Sequence, residues 1–246
     1  MKKCNSFFFK SNQFISKTIL AFAFGSLLFS CSEDSLDDTM IISEEEAAEV
    51  VIQSVEAESG GVVVQIEDAS TMTVENIDNC GISMDTVISA SSSTGATIVY
   101  EYTLSWDYAL TCNNFTPQQF SFNYTGQASY DAPRIASADT RTGALTVEGL
   151  SFSSSKLLFN LEFVNQGSQT SKIGNKSSFT STTTLKSADL AVDKLTYEIL
   201  SGTVEVTISG ATSTGTTFSY SGTLTFLGNR QGMLVMASGA TYSIQW

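Results

Sequence analysis

The alternation of side chains between Ile98 and Asp107 limits the possible folds more than any other stretch. Ile98, Tyr100, Tyr102, Leu104 and Trp106 fall on one side of an extended chain, and Val99, Glu101, Thr103, Ser105 and Asp107 on the other. That is the pattern of a sheet with one dry and one wet face. It recurs at Phe120-Phe122-Tyr124, at Leu157 to Phe163, at Phe218-Tyr220-Leu224-Phe226 and at Tyr242-Ile244-Trp246. Shorter runs at Val62 to Glu67, Met72 to Ile77, Phe179 to Leu185, Leu195 to Ile199, Val204 to Ile208 and Met233 to Val235 read as further strands. Leu145-Val147 and Leu150-Phe152 are out of step by one residue, which predicts a β-bulge at Gly149, and Asn165 to Asn175 reads as a polar turn region. About eleven strands with short connections and no crossover helices describe an antiparallel meander. Such a sheet hides its apolar face by forming a sandwich or curled roll, the arrangement expected here, or alternatively a lipocalin-like closed barrel.

The first 42 residues belong to a different kind of sequence. Lys2, Lys3, Lys10 and Lys17 precede an apolar run from Ile19 to Phe29, after which Cys31 leads directly into Ser32-Glu33-Asp34-Ser35-Leu36-Asp37-Asp38. The run is short of the roughly 20 apolar residues that span a bilayer, and acids follow it where a stop-transfer segment carries Lys or Arg. Residues 1–30 therefore read as a signal peptide, and 31–42 as an acidic tether without periodicity.

Leu28-Phe29-Ser30-Cys31 resembles the lipobox of bacterial lipoproteins, with Phe29 in place of the usual small residue. The looser lipoboxes of Bacteroidota accept such variation, and the acids after Cys31 resemble the signal that sends lipoproteins of that group to the outer face of the outer membrane. The resemblance implies diacylglyceryl and N-acyl lipid on Cys31 and an outer-membrane location, at the cell surface or alternatively on the periplasmic face. The acidic helix, the Cys112 region and the Gly222-rich C-terminal hairpin resemble flavobacterial surface lipoproteins of unassigned function, a likeness that brings no catalytic residues.

Beyond the tether, Ser43 followed three residues later by Glu46 is a capping box, and Glu44 to Glu46 place negative charge at a helix N-terminus. Ala47, Ala48, Val51, Ile52 and Val55 give the apolar stripe of a short helix over 43–59, ended by Gly60-Gly61 and expected to cover an open end or edge of the sheet. Residues 60–246 then form one all-β domain. Cys4 leaves with the signal and Cys31 takes lipid, so Cys80 and Cys112 are a disulfide candidate in an oxidising compartment. Two buried thiols are the alternative; a metal or redox pair lacks both histidine and a C-x-x-C spacing.

Charge and composition then exclude whole classes of function. The signal takes four of the 12 basic residues, leaving 8 against 25 acids, and none lies between Lys17 and Arg134. A nucleic acid would be repelled. With no histidine, Ser-His-Asp and Cys-His catalysis and His-ligated zinc are impossible, and no loop has EF-hand spacing, so no metal or other cofactor is expected. A carboxylate pair of the glycosidase type remains formally open through Glu101, Asp107, Glu148, Glu162, Glu198 and Glu205, each read as a solvated face residue. Trp106, Tyr108 and Phe115 are the candidate binding residues, Trp106 more at home in a core and the other two read as loop residues. The expectation is a non-catalytic binding or adhesion module, held to the membrane by its lipid and meeting a glycan or a surface protein. The alternatives are a lipid or lipoprotein handling protein with an apolar cavity lined by residues such as Phe120, Phe122, Phe159 and Phe218, or a carboxylate-based glycan-active enzyme.

Overall fold

The computed structural model describes residues 41–246; the signal segment, Cys31 and the tether as far as residue 40 lie outside the described residues. The capping box forms as expected. The Ser43 hydroxyl accepts the Glu46 N–H at 3.2 Å while the Glu46 carboxylate accepts the Ser43 N–H at 2.9 Å, starting helix α1 (Glu44–Val55). A short 3-10 turn (Ala57–Ser59) leads to Gly60, whose φ of 65° is the left-handed conformation that lets the chain reverse.

Residues 62–76, expected to contain strands, form a second helix instead, α2 (Val62–Asn76). Val62, Val63, Ile66, Ala69 and Thr73 are all buried at helical spacing. A helix built from so many β-branched residues looks like a strand in sequence; burial in the core outweighs that weak local preference. The part of the chain expected to be all-β therefore opens with a helix.

Ten strands follow: β1 (Ser83–Ser91), β2 (Val99–Asn113), β3 (Thr116–Asp131), β4 (Ile135–Glu148), β5 (Lys156–Ser171), β6 (Ser178–Asp193), β7 (Ile199–Thr212), β8 (Thr217–Gly228), β9 (Gln231–Met236) and β10 (Thr241–Gln245). Each pairs antiparallel with its neighbours in sequence, in a single sheet ordered from β1 to β10. The two edge strands do not pair with each other, so the sheet is a curled, open roll and not a closed barrel. The two helices lie against its inner face, where an end or edge position had been expected for α1. Val50, Val51, Val55, Val62, Val63 and Ile66 pack there with Leu104, Trp106, Phe120, Phe122, Phe159, Leu185, Leu224 and Phe226.

Glycines on the inner face allow the curl. A Cβ on Gly126 of β3 would lie 2.0 Å from the Thr103 carbonyl oxygen, and one on Gly210 of β7 would lie 2.0 Å from that of Thr180. Only a residue without a side chain lets adjacent strands bend this closely over one another.

Several local expectations shift. Gly149, with φ 76°, opens the β4–β5 loop rather than a bulge, and Leu150 to Phe152 lie in that loop. Register breaks occur instead at Thr111/Cys112, Phe159/Leu161, Ser187 to Val192 and Phe226/Gly228. Tyr108 belongs to β2, Leu195 to the β6–β7 loop, and Asn165 to Ser171 continue β5 with no turn.

Cys80, just past α2, is bonded to Cys112 of β2, with Cα atoms 5.7 Å apart and a sequence separation of 32. The bridge fastens the C-terminal end of α2 to the sheet, and closing a loop of that size contributes roughly 3–4 kcal/mol in the chain-entropy account. Cys80→Ser/Cys112→Ser should therefore lower Tm by on the order of 10 °C without loss of far-ultraviolet β-sheet signal. An unchanged Tm in a differential scanning calorimetry comparison would contradict the stabilising role.

Candidate functional site

The topology sorts the connections to two ends of the sheet. The chain enters at the end holding the β3–β4, β5–β6, β7–β8 and β9–β10 turns. There Arg134 donates to Glu45 and, at 2.9 Å, to Glu49; Ser238 donates to Glu44 at 2.6 Å; and the Tyr220 hydroxyl donates to the Ile42 carbonyl at 2.8 Å. The β2–β3, β4–β5, β6–β7 and β8–β9 connections gather at the opposite, far end.

Three of the far-end loops each present one large apolar residue to solvent: Phe115 at 92% exposure, Phe152 at 84% and Leu195 at 90%. Asn114 and Phe115, with φ 47° and 63°, have the left-handed pair of a tight two-residue hairpin turn, which lifts the Phe115 ring off the sheet. Leu195 sits in a turn fixed by Asp193, whose carboxylate accepts the N–H groups of Leu195 and Thr196 at 2.9 Å each. Those hydrogen bonds hold the Asp193 carboxyl below the usual carboxylate range.

The loops are also tied to each other. Lys194 Nζ donates across to the Leu150 and Ser151 carbonyls at 3.2 and 3.1 Å, joining the Leu195 turn to the Phe152 loop, and partial burial lowers its pKa. Arg230, in the β8–β9 turn beside half-exposed Leu227, meets Glu198 at 3.3 Å. Single exposed apolar residues are ordinary on a protein surface. Here they recur at successive hairpins of one end, and the loops of Phe152 and Leu195 are pinned by charged side chains.

The sequence-level candidates separate. Trp106 and Tyr108 point inward, Trp106 packing on Tyr124 at 4.3 Å between ring centroids and Tyr108 stacking on Phe122 at 5.7 Å. Phe115 is the one of the three that solvent reaches freely. Phe152 and Leu195 were hidden by their alternating neighbours, which made loop residues look like strand. Phe120, Phe122 and Phe159 are fully buried and Phe218 partly so, all packed in the core. Glu101, Asp107, Glu148, Glu162 and Glu205 are exposed on the outer side of the roll, Glu162 paired with Lys186 at 3.0 Å.

A second concentration of chemistry lies inside. Toward the chain-entry end the inner face turns polar: Ser137, Asp139 and Arg141 of β4, Asn165 and Gln169 of β5, and Ser181 of β6 are all buried. Arg141, at 0% exposure, donates to the Gly60 carbonyl and stands 3.8 Å from Asp139, which in turn accepts from Ser137 and, at 3.1 Å, from Asn165. Asn165 also donates to Ser54 of α1 at 3.3 Å. Sheet and helices are thus joined by an enclosed polar cluster, in which Arg141 Nε and Nη2 and Asn165 Oδ1 are buried without a hydrogen-bond partner. Nearby, burial raises the hydroxyl pKa values of Tyr124 and Tyr130.

Three carboxyl groups on the helical segment are raised as well, Glu67 among them by burial. Glu56 is pushed up to about 7, by burial first and then by the negative charges of Glu58 and Glu49, against a hydrogen bond from Gln53. Asp68 rises to about 6 through burial and the charge of Glu67. A carboxyl whose folded pKa exceeds its unfolded value binds its proton more tightly in the folded state, so stability falls as pH climbs from about 4 toward 7. Thermal melts should give a higher Tm at pH 5 than at pH 7.5, and Glu56→Gln should flatten that slope. A Tm rising across this window would contradict the assignment.

Comparison with known proteins finds no family model, no curated protein and no solved structure that matches the chain, which leaves the geometry above as the ground for a functional reading.

Proposed function

We propose that this chain is a lipid-anchored outer-membrane protein displayed at the cell surface, whose folded part is a non-catalytic binding or adhesion module that engages its partner through the far end of the roll. The observation that carries the reading is the set of exposed Phe115, Phe152 and Leu195, the last two on loops tied to each other by Lys194, at the end opposite to the one where the chain enters. A tether over residues 31–42 reaches at most about 40 Å. Strands of 16 residues such as β3 and β5 extend about 53 Å along their own axes. The apolar fringe thus lies at the end of the roll farther from the point where the tether joins it.

Large apolar side chains on a rigid support are the usual anchors of a binding surface, and loops already fixed lose little freedom on docking. The triple variant Phe115→Ser/Phe152→Ser/Leu195→Ser should keep the parent Tm within about a degree, because the three side chains contact solvent. Retention of the purified domain on cell-envelope preparations should drop more than about tenfold, the loss expected when apolar anchors of this size leave an interface. Full retention by a folded triple variant would overturn the reading.

The anchor is tested separately. Cys31→Ser should yield an unlipidated precursor or a soluble secreted form that moves to the aqueous phase in detergent partitioning. A native N-terminus without diacylglyceryl mass on Cys31, found by intact-mass analysis, would refute the lipoprotein assignment.

A further inference from the structure

The outer face of the roll has a regularity that burial does not require. By register, Ser89, Thr103, Gln127, Thr140, Gln166 and Thr182 stand in one line across β1 to β6, and the line continues through Ser209 and Ser219 without a charged residue. The line beside it, from Val87 and Ser105 through Thr125 and Thr142 to Val164 and Thr184, is uncharged too. On the other side, the line from Ser91 through Ser129 and Ser168 to Thr180 carries a single carboxylate, Glu101. The charges are displaced to the line of Asp85, Asp107, Glu162, Lys186 and Glu205. Hydroxyl groups are at ease in strands, which accounts for Thr at some of these places. It does not account for the exclusion of charge from adjoining lines in a chain with 25 acids and 12 basic residues.

This face is grooved. A concavity of about 770 Å³ crosses β1 to β5, lined by Ser89, Glu101, Thr103, Gln127, Thr140 and Gln166. Shallower concavities of about 350 and 420 Å³ follow along β3 to β6, over Thr142 and Asn123 and then over Ser121, Thr146 and Asn160, and Glu162, paired with Lys186, lines both of them. From Gln127 to Ser121 the path covers six residues of strand, about 20 Å. Its side chains are held in mutual hydrogen bonds, Ser89 to Thr103 at 2.9 Å and Gln127 to Thr140 at 3.2 Å.

We infer that this outer groove binds an extended, uncharged polysaccharide. Hydroxyl and amide groups both donate and accept, so they pair with a polymer that offers hydroxyl groups along its whole length. An anionic polymer is repelled by Glu101, Asp107, Glu162 and the net charge, and a protein anchor would seek aromatic or arginine contacts that the outer lines lack. Each hydrogen bond replaces one to water and gains little, so binding is weak per contact and depends on the length of the chain laid in the groove. The groove and the apolar fringe share no residue, so either can fail while the other stands.

The test is affinity electrophoresis of the folded domain in gels cast with mixed-linkage β-glucan, α-mannan, dextran or alginate. Retardation is expected with at least one neutral polymer and not with alginate. Gln127→Ala/Thr140→Ala should weaken it about fivefold or more at unchanged Tm, with Ser89→Ala/Gln166→Ala as a second pair should the first not fold. The variant Phe115→Ser should bind like the parent. Mobility unaffected by every neutral polymer, preference for alginate, or full binding by both folded double variants would overturn the inference.

Discussion

The fold depends on burying one face of a ten-stranded sheet that never closes on itself. A closed barrel covers its inner face with its own far wall. Here α1 and α2 fill the space, and this explains why α1 is buried on almost every side, including Glu46, Glu49, Gln53 and Ser54. The helices are the core that the sheet wraps around. Strand length, the inner glycines and the tie from Cys80 to Cys112 all serve that arrangement.

The polar cluster around Arg141 completes it at some energetic cost. Taking a guanidinium and a carboxylate fully out of water costs several kcal/mol before their attraction offsets it, and replacement by apolar residues is often neutral or better for stability. What the cluster adds is direction. Arg141 donates to the carbonyl of Gly60 at the reversal between the helices, and Asn165 to Ser54, so a helix pair rotated or shifted by one turn would lose both of these buried hydrogen bonds.

How far the fold was legible in the sequence follows from where polar residues face. Ile98 to Trp106 and Leu157 to Phe163 alternate because their inner positions meet apolar side chains, and they were read correctly. Strand β4 left almost no trace before Leu145, since its inner positions Ser137, Asp139 and Arg141 are as polar as its outer ones. The second half of β5 looked like a turn for the same reason, and β1 at the sheet edge buries too little to show a pattern. Helix α2 was masked by β-branched residues. Of the proposed binding surface, Phe115 was visible beside a turn, but the grouping of Phe115, Phe152 and Leu195 is a product of the meander, which brings every second connection to the same end.

The position of the helices at the start of the chain has a consequence for assembly. Each strand finds its partner immediately before or after it, so hairpins can form as soon as they emerge, and sequence-local contacts of this kind favour rapid folding. The apolar surfaces of α1 and α2 have no such neighbour. Leu224, Phe226, Leu234 and Ile244, at the far end of the sequence, complete the wall around the core that the helices begin. Sheet growth is therefore progressive while enclosure of the core comes last, so a chain arrested late in synthesis would have most of its strands paired and its central helices still uncovered.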